Sequence, residues 1–159
     1  MGEVVTRDRL REIRERAKLH SKKVVFTNGC FDILHRGHIE YLRKARSLGD
    51  ILVIGLNTDK SVRAIKGKGR PIVPEEDRAF LLCELRSVDY VCLFDEETPA
   101  LLIDFLTPDV LVKGGDYAID EVVGKDTVEA SGGEVVIIPE VKGKSTSSIV
   151  DIISRRTCS

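Results

Sequence analysis

Short apolar runs alternate along the chain with longer stretches in which apolar residues recur every three or four positions. The runs predict five strands, over Lys23 to Thr27, Ile51 to Leu56, Tyr90 to Phe94, Val110 to Val112 and Glu134 to Ile138. Strands that are largely apolar and separated by helices are typical of parallel βαβ units. We therefore expect an α/β fold, a Rossmann-like, doubly wound sheet of five parallel strands with helices on both faces.

The stretches between the strands predict helices. These run over about Gly37 to Leu48, Pro74 to Arg86, Thr98 to Leu106, Lys125 to Ala130 and from Ser145 onward. Asp59 to Pro74 is a polar segment that could begin with a helical turn and ends rich in glycine and lysine. Leu10, Ile13 and Ala17 have helical spacing, so residues 1–21 are expected to form an amphipathic helix packed on an α/β core of residues 22–159.

Length and composition indicate one soluble globular domain. The chain has 159 residues, of which 42% are hydrophobic and 32% charged, and a domain typically contains about 100–200 residues. With 25 basic and 26 acidic residues, it lacks the basic excess of a nucleic-acid binder. No apolar run approaches the roughly 20 residues of a membrane span.

Cysteine usage bears on the compartment. Cys30, Cys83, Cys92 and Cys158 are scattered without a CxxC pair, and the N-terminus carries no hydrophobic signal core. That pattern is typical of reduced thiols rather than of a disulfide framework. We expect a cytoplasmic protein.

Candidate chemistry should follow the strands, because ligands of doubly wound sheets bind beyond the strands' carboxyl ends. We therefore searched the segments after the first, second, fourth and fifth predicted strands. The first, Asn28 to His38, holds two of the three histidines in the pattern HxGH. His35 and His38 share a helix face, and Gly37 permits close approach of a ligand. Imidazoles at a helix N-terminus suit a phosphate; local capping or packing is the alternative interpretation.

Metal binding is another interpretation of the same segment. Cys30, His35 and His38 are all of a type that ligates zinc. No fourth ligand stands nearby at a recurrent spacing, and Cys30 occupies a turn that would present its backbone. We predict no metal site made of protein side chains.

A second candidate, Lys142 to Ser148, follows the last strand and reads KGKSTSS. The GKS triplet suggests a P-loop, but that motif needs a glycine five residues before its second glycine, and position 138 is Ile. What remains is a hydroxyl-rich helix start with two lysines, suited to phosphate oxygens. An N-cap by Ser145 or Thr146, with the lysines in solvent, is the alternative.

Two further segments carry candidate chemistry. Lys60 to Arg70 contains five basic residues and no acid, and its glycines suggest a mobile loop able to close over an anion; a solvated surface is the alternative. Lys113 to Asp116 follows the fourth strand, where glycines would let a base or ribose pack on the backbone and Asp116 could accept hydrogen bonds. The GxGxxG pattern is absent from the first turn, which disfavours NAD.

The motif GCFDxxHxGH, followed much later by a Ser/Thr-rich helix start, resembles the HxGH nucleotidyltransferase superfamily. Within it, residues 22–153 are most similar to the adenylyltransferase domains of ADP-heptose synthases. The matching stretches are Phe26 to His38, Gly67 to Asp77, Asp89 to Tyr90, Asp109 to Tyr117, Val122 to Gly124 and Gly132 to Val135. The resemblance implies transfer of AMP from ATP to a heptose 1-phosphate. The alternative is a cytidylyltransferase acting on glycerol 3-phosphate or a similar alcohol phosphate.

The resemblance also implies roles for residues of this chain. The catalytic candidates are His35, His38, Lys66 and Lys68. The nucleotide-binding candidates are Asn28, Gly29, Cys30, Phe31, Gly37, Arg78, Lys113, Gly114, Gly115, Asp116, Lys142, Gly143, Lys144, Ser145, Thr146 and Ser147. Cytidylyltransferases of the superfamily generally begin the last motif with arginine, whereas this chain has Lys142 and Lys144.

The implied partners are ATP with Mg²⁺ and a sugar phosphate, with no nucleic acid and no membrane. Related enzymes suggest a homo-oligomer, most simply a dimer. The sugar-kinase domain usually fused upstream does not occur in these residues, so we expect a separate kinase to supply the sugar phosphate.

Overall fold

In the part of the chain that the structure describes, six parallel strands form the central sheet. The computed structural model describes residues 1–116, 118–139, 141, 143 and 145–157. The strands are β1 (Glu3–Val4), β2 (Val24–Gly29), β3 (Ile51–Asn57), β4 (Tyr90–Phe94), β5 (Val110–Gly114) and β6 (Glu134–Ile138). Their order across the sheet is β1-β4-β3-β2-β5-β6.

Helices connect the strands. They are α1 (Arg7–Leu19), α2 (Arg36–Arg46), α3 (Asp59–Lys66), α4 (Glu75–Cys83), α5 (Ala100–Leu106), α6 (Lys125–Ala130) and α7 (Thr146–Thr157). A 3₁₀ turn at Ile119–Glu121 lies between β5 and α6. Within the ranges described above, no helix is long and apolar enough to cross a bilayer.

Buried side chains cover both faces of the sheet. On one face Phe26 packs in a cluster with residues of α1, α5 and α6. On the other face Leu52 packs with residues of α2 and α4. This two-sided burial confirms the doubly wound α/β arrangement, and it explains why β2 and β3 are apolar almost throughout.

The strand order reverses at β2. The chain runs from β2 outward through β3 to β4, then returns to β5 on the other side of β2 and continues to β6. Loops that leave β2 and β5 therefore diverge to opposite faces at the carboxyl edge of the sheet. Such a divergence opens a crevice where ligands bind in this class of fold.

The predicted number of strands was wrong by one. Glu3 pairs with Tyr90 and Val4 with Val91, which adds β1 beside β4 as an edge strand. Both residues of β1 are exposed, so it contributes no apolar run from which a strand could be predicted. The amphipathic helix expected within residues 1–21 is confirmed as α1, with Leu10, Ile13 and Ala17 buried.

The segment from Lys60 to Arg70 differs from the expected loop. Its first part belongs to α3, a full helix capped by Thr58, whose hydroxyl accepts from Ser61 N at 3.3 Å. Burial of Ser61 and Val62 against β3 stabilises this helix. Only the residues after Lys66 form the connection to α4.

Candidate active site

A cavity of about 600 Å³ opens at the carboxyl edge of the sheet, where the strand order reverses. Its walls come from the segments that follow β2, β3, β4, β5 and β6, and from the start of α7. This volume lies in the range of pockets that bind small molecules.

The cavity brings together most of the predicted site residues. Those that line it are Asn28, Gly29, Cys30, Phe31, His35, Gly37, His38, Lys66, Lys113, Gly114, Ser145, Thr146 and Ser147. Lys68, Arg78, Gly115, Asp116 and Gly143 are not part of the lining. Lys142 and Lys144 lie outside the residues that the structure describes.

His35 and His38 stack at the start of α2. Their ring centroids are 3.8 Å apart with an interplanar angle of 21°. His35 is the N-cap residue in extended conformation, and its carbonyl accepts from His38 N at 2.9 Å. The Phe31 ring tilts against His38 at 5.2 Å. The helix N-terminus, with its orphan N–H groups, and two imidazoles thus face one region of the cavity.

His38 is held in its neutral form in the absence of a ligand. Burial, together with the nearby charges of His35 and Lys66, lowers the pKa of His38 to about 4. Its Nδ1 is buried and has no hydrogen-bond partner in the described part of the chain. An anion bound beside the ring would favour its protonated form and raise this pKa.

The depressed pKa of His38 predicts a stability change with pH. The unfolded chain binds the proton near pH 6.5, whereas the folded chain binds it only near pH 4. Stability should therefore fall as pH decreases through this window, by about 1–2 kcal/mol from this group after allowance for partial solvent screening. Urea unfolding of His38→Gln between pH 7.5 and 4 should show a shallower loss than the wild type. The exposed His20, changed to Gln, serves as the matched control.

Asp32 ties the loop after β2 to the segment after α3. One Oδ atom accepts from Ile72 N at 2.8 Å and Val73 N at 2.9 Å, and the other accepts from Arg70 Nε at 2.6 Å. Burial alone would raise the pKa of this carboxyl, but the two amides and Arg70 bring it below its ordinary value. Arg70 is thereby occupied within the protein, and the segment it belongs to is anchored beside the HxGH loop.

Arg78 lies beneath the cavity and is fully buried. Its guanidinium donates to Cys30 O at 2.6 Å, Asn57 O at 2.8 Å and Val73 O at 2.9 Å, and to Asp59 Oδ1 at 2.7 Å. Cys30 follows β2, Asn57 ends β3, Asp59 begins α3 and Val73 precedes α4. In this structure the residue joins the loops that form the cavity floor.

The wall at β5 is built around Tyr41 of α2. The Tyr41 hydroxyl lies 2.6 Å from Thr27 Oγ1 and donates to Val112 O at 3.3 Å. Burial raises the pKa of Tyr41 to about 12. A Cβ at Gly114 would sit 3.1 Å from the Tyr41 ring, so a side chain at this position would crowd the wall.

Burial also lowers the pKa of Lys113, which lines the cavity.

The start of α7 forms a further wall of the cavity. Ser145 Oγ accepts from Ser148 N at 3.1 Å, which is N-cap geometry. Thr146 Oγ1 donates to Ile33 O at 3.3 Å and so connects α7 to the HxGH loop. The N-cap interpretation and the cavity-lining interpretation of this motif are therefore compatible.

The basic residues between positions 60 and 70 have different surroundings. Lys60 pairs with Asp95 at 3.3 Å, and Arg70 pairs with Asp32. Arg63 and Lys68 are exposed outside the cavity, and Lys66 at the end of α3 lines it. We therefore place Lys66 as the residue of this stretch that can reach a ligand.

Sequence reasoning missed several lining residues. Asp32 lies within the GCFDxxHxGH motif, Tyr41 follows it in α2, and Asn57 is the last residue of β3. Glu97, Thr98 and Pro99 follow β4, the third predicted strand, after which the sequence predicted no ligand-binding segment. The strand-end rule, applied to every strand, would have found them.

Two features indicate the class of protein: the position of the cavity in the sheet, and groups around it that suit an anionic ligand. The cavity lies at the switch point of a doubly wound sheet, and two helix starts with imidazole and hydroxyl groups border it. These properties suit a nucleotide or another phosphorylated ligand. Residues 26–152 match the family model described as cytidylyltransferase-like, and the chain belongs to this family.

Curated relatives and solved structures agree with this assignment. The bifunctional protein HldE of Syntrophotalea carbinolica is 55% identical over 150 residues, which cover 94% of this chain and 31% of the relative. HldE of Citrifermentans bemidjiense is 60% identical over 139 residues, which cover 86% of this chain and 28% of that protein. This chain thus spans about three tenths of their length. A lipopolysaccharide core biosynthesis protein from Thermoplasma volcanium GSS1 is 33% identical with a TM-score of 0.62, covering 77% of this chain and 99% of that one.

Proposed function

We propose that this domain transfers AMP from ATP to a heptose 1-phosphate, giving ADP-heptose and pyrophosphate. The observation that carries the proposal is the stacked pair His35 and His38, at the start of α2 and in one cavity with the start of α7. Identities of 55% and 60% to HldE proteins support the choice of acceptor, because the motifs resemble the adenylyltransferase domains of ADP-heptose synthases.

The reaction needs no general base. A sugar 1-phosphate is anionic at neutral pH, so its oxygen can attack the α-phosphorus of ATP directly. A bond forms between that oxygen and the α-phosphorus while the bond to the bridging oxygen breaks, and pyrophosphate leaves. Catalysis then comes from in-line positioning and from donors that stabilise charge on the phosphates.

The donors for that charge line the cavity. His35 and His38 border it at α2, Lys66 at the end of α3, and Lys113 at the end of β5. The neutral His38 of the free protein gains a proton or donates its N–H once phosphate is bound, because a nearby anion favours the charged imidazole. Preorganised donors of this kind typically contribute about 10²–10³ each in kcat.

Mg²⁺ would enter with ATP. Among residues with described positions, no group of three or more His, Cys, Asp and Glu side chains could hold a metal ion. Asp32 is already engaged by three donors. This lining fits a Mg²⁺ bound mainly by phosphate oxygens and water, and the ion would neutralise charge on the departing pyrophosphate.

A matrix of substrates tests the proposal. Each nucleoside triphosphate is combined with a panel of sugar and alcohol phosphates, and pyrophosphate release is measured. We expect release that requires both ATP and heptose 1-phosphate. Release with CTP and glycerol 3-phosphate would establish the cytidylyltransferase alternative instead. Binding of ATP without any release would indicate a nucleotide-binding module that lacks transferase activity.

A further inference from the structure

The cavity has two halves on either side of β2. The half toward β5 and β6 contains Lys113, Gly114 and the hydroxyl-rich start of α7. The half toward β3 and β4 is lined by Asn57, Ile65, Lys66, Glu97, Thr98 and Pro99. The two histidines lie between the halves, where the loop after β2 ends. A two-substrate transfer at these histidines places one substrate in each half.

We propose that Glu97 determines acceptor specificity by binding sugar hydroxyls in the β3–β4 half of the cavity, with Lys66 beside the acceptor phosphate. This inference rests on the proposed function. It assigns the β5–β6 half to the nucleotide, because the hydroxyl-rich start of α7 suits the oxygens of a triphosphate.

The three consecutive acids after β4 differ in their surroundings. Asp95 accepts from Thr58 Oγ1 at 2.6 Å and pairs with Lys60. Glu96 accepts from Arg7 Nη2 with both of its carboxylate oxygens, at 2.7 Å each. Glu97 lines the cavity and has no hydrogen-bond or ion-pair partner in the described part of the chain. Its carboxylate is therefore available to a ligand.

The backbone before Glu97 is held in place against α3. Ser61 Oγ, buried in α3, donates to Glu96 O at 2.8 Å. Thr58 N, at the start of the same helix, donates to Phe94 O at 3.0 Å. Since α3 also ends at Lys66, the same helix holds the backbone that leads to Glu97 and carries Lys66.

The charge arrangement identifies the kind of acceptor. An ionised carboxylate only accepts hydrogen bonds, so Glu97 suits neutral hydroxyl donors and disfavours a second phosphate nearby. Lys66 supplies the positive charge that the one phosphate of the acceptor needs. The matching ligand is a monophosphate whose remaining part is uncharged and rich in hydroxyl groups, which describes a sugar phosphate better than a short alcohol phosphate.

Steady-state kinetics of Glu97→Gln and Glu97→Ala test the inference. With heptose 1-phosphate as acceptor, KM for the acceptor should rise roughly tenfold to a hundredfold in Glu97→Ala, the range expected for a lost hydrogen bond to a charged group, while KM for ATP stays within twofold. Glu97 is exposed, so the midpoint of thermal unfolding should not change. Glu84→Gln, an exposed acid outside the cavity, is the matched control. Glu121→Gln removes a carboxylate from the β5–β6 half of the cavity. It should leave KM for the acceptor unchanged, and any effect should be on KM for ATP.

Each outcome separates the inference from the proposed function. An unchanged acceptor KM in both Glu97 variants, or an equal rise in KM for ATP, overturns the inference while leaving the transferase activity intact. If the wild type releases no pyrophosphate with any sugar phosphate, the proposed function is wrong and the inference is wrong with it. The inference would also be contradicted if Glu97→Ala raised KM for glycerol 3-phosphate as much as KM for the sugar phosphate. Glu97 would then not be binding hydroxyl groups that are specific to the sugar.

Discussion

Replacing His38 with alanine is expected to lower kcat by roughly 10²–10³ with little change in KM for ATP. His38 stacks on His35 at 3.8 Å and lines the cavity, and the proposed reaction would place the α-phosphate and the departing pyrophosphate beside this pair. A donor at that place acts more on the charge that develops during transfer than on ground-state binding. Single-turnover formation of the nucleotide sugar at saturating ATP measures the effect on the chemical step directly.

The controls for this prediction follow from the same geometry. His20→Ala changes the third histidine, which is exposed at the end of α1, and should leave turnover unaffected. His38→Ala loses a half-buried ring that packs on Phe31, so its unfolding midpoint must be compared with that of the wild type at the assay temperature. Turnover near the wild-type value in folded His38→Ala would remove His38 from the mechanism.

Much of the fold followed from local pattern. Strand β4 and helix α6 were predicted with the observed bounds, because an apolar run and a helix ended by glycine are local signals. Strand β1 had no such signal: Glu3 and Val4 are exposed, and their pairing with β4 depends on contacts with residues nearly ninety positions away. The full length of α3 depended likewise on burial of Val62 against the sheet.

The candidate site also has a part that could be predicted from the sequence and a part that depends on distant contacts. The histidines and the Ser145–Ser147 motif could be placed at one edge of the sheet, since topology brings the carboxyl ends of parallel strands together. The arrangement of charged side chains within the cavity could not be predicted from the sequence. The sequence shows Asp95, Glu96 and Glu97 as one acidic run, and only the partners Thr58 and Arg7 distinguish the two occupied carboxylates from the available one.

Arg78 is the residue whose interpretation changed most. Sequence resemblance suggested contact with the nucleotide, whereas the structure buries its guanidinium completely and surrounds it with four acceptors. Arg78→Met should destabilise the protein by about 3–5 kcal/mol, because it leaves the buried carbonyls of Cys30 and Asn57 and the carboxylate of Asp59 without their donor. Urea unfolding at 20 °C, compared with the wild type, measures the loss. That loss is a large fraction of the roughly 5–15 kcal/mol that stabilises a typical domain.

Arg78→Lys distinguishes a structural role from direct contact with the nucleotide. Lysine keeps the positive charge opposite Asp59 but cannot reproduce the planar fork that reaches Cys30 and Asn57 together. We expect intermediate stability and an ATP dissociation constant that weakens only as far as the loops after β2 and β3 lose their order. If ATP binding weakened more than tenfold while the unfolding free energy stayed at the wild-type value, Arg78 would have to reach the nucleotide. Because the guanidinium is buried and engaged with four acceptors, we expect ATP binding to weaken only together with stability.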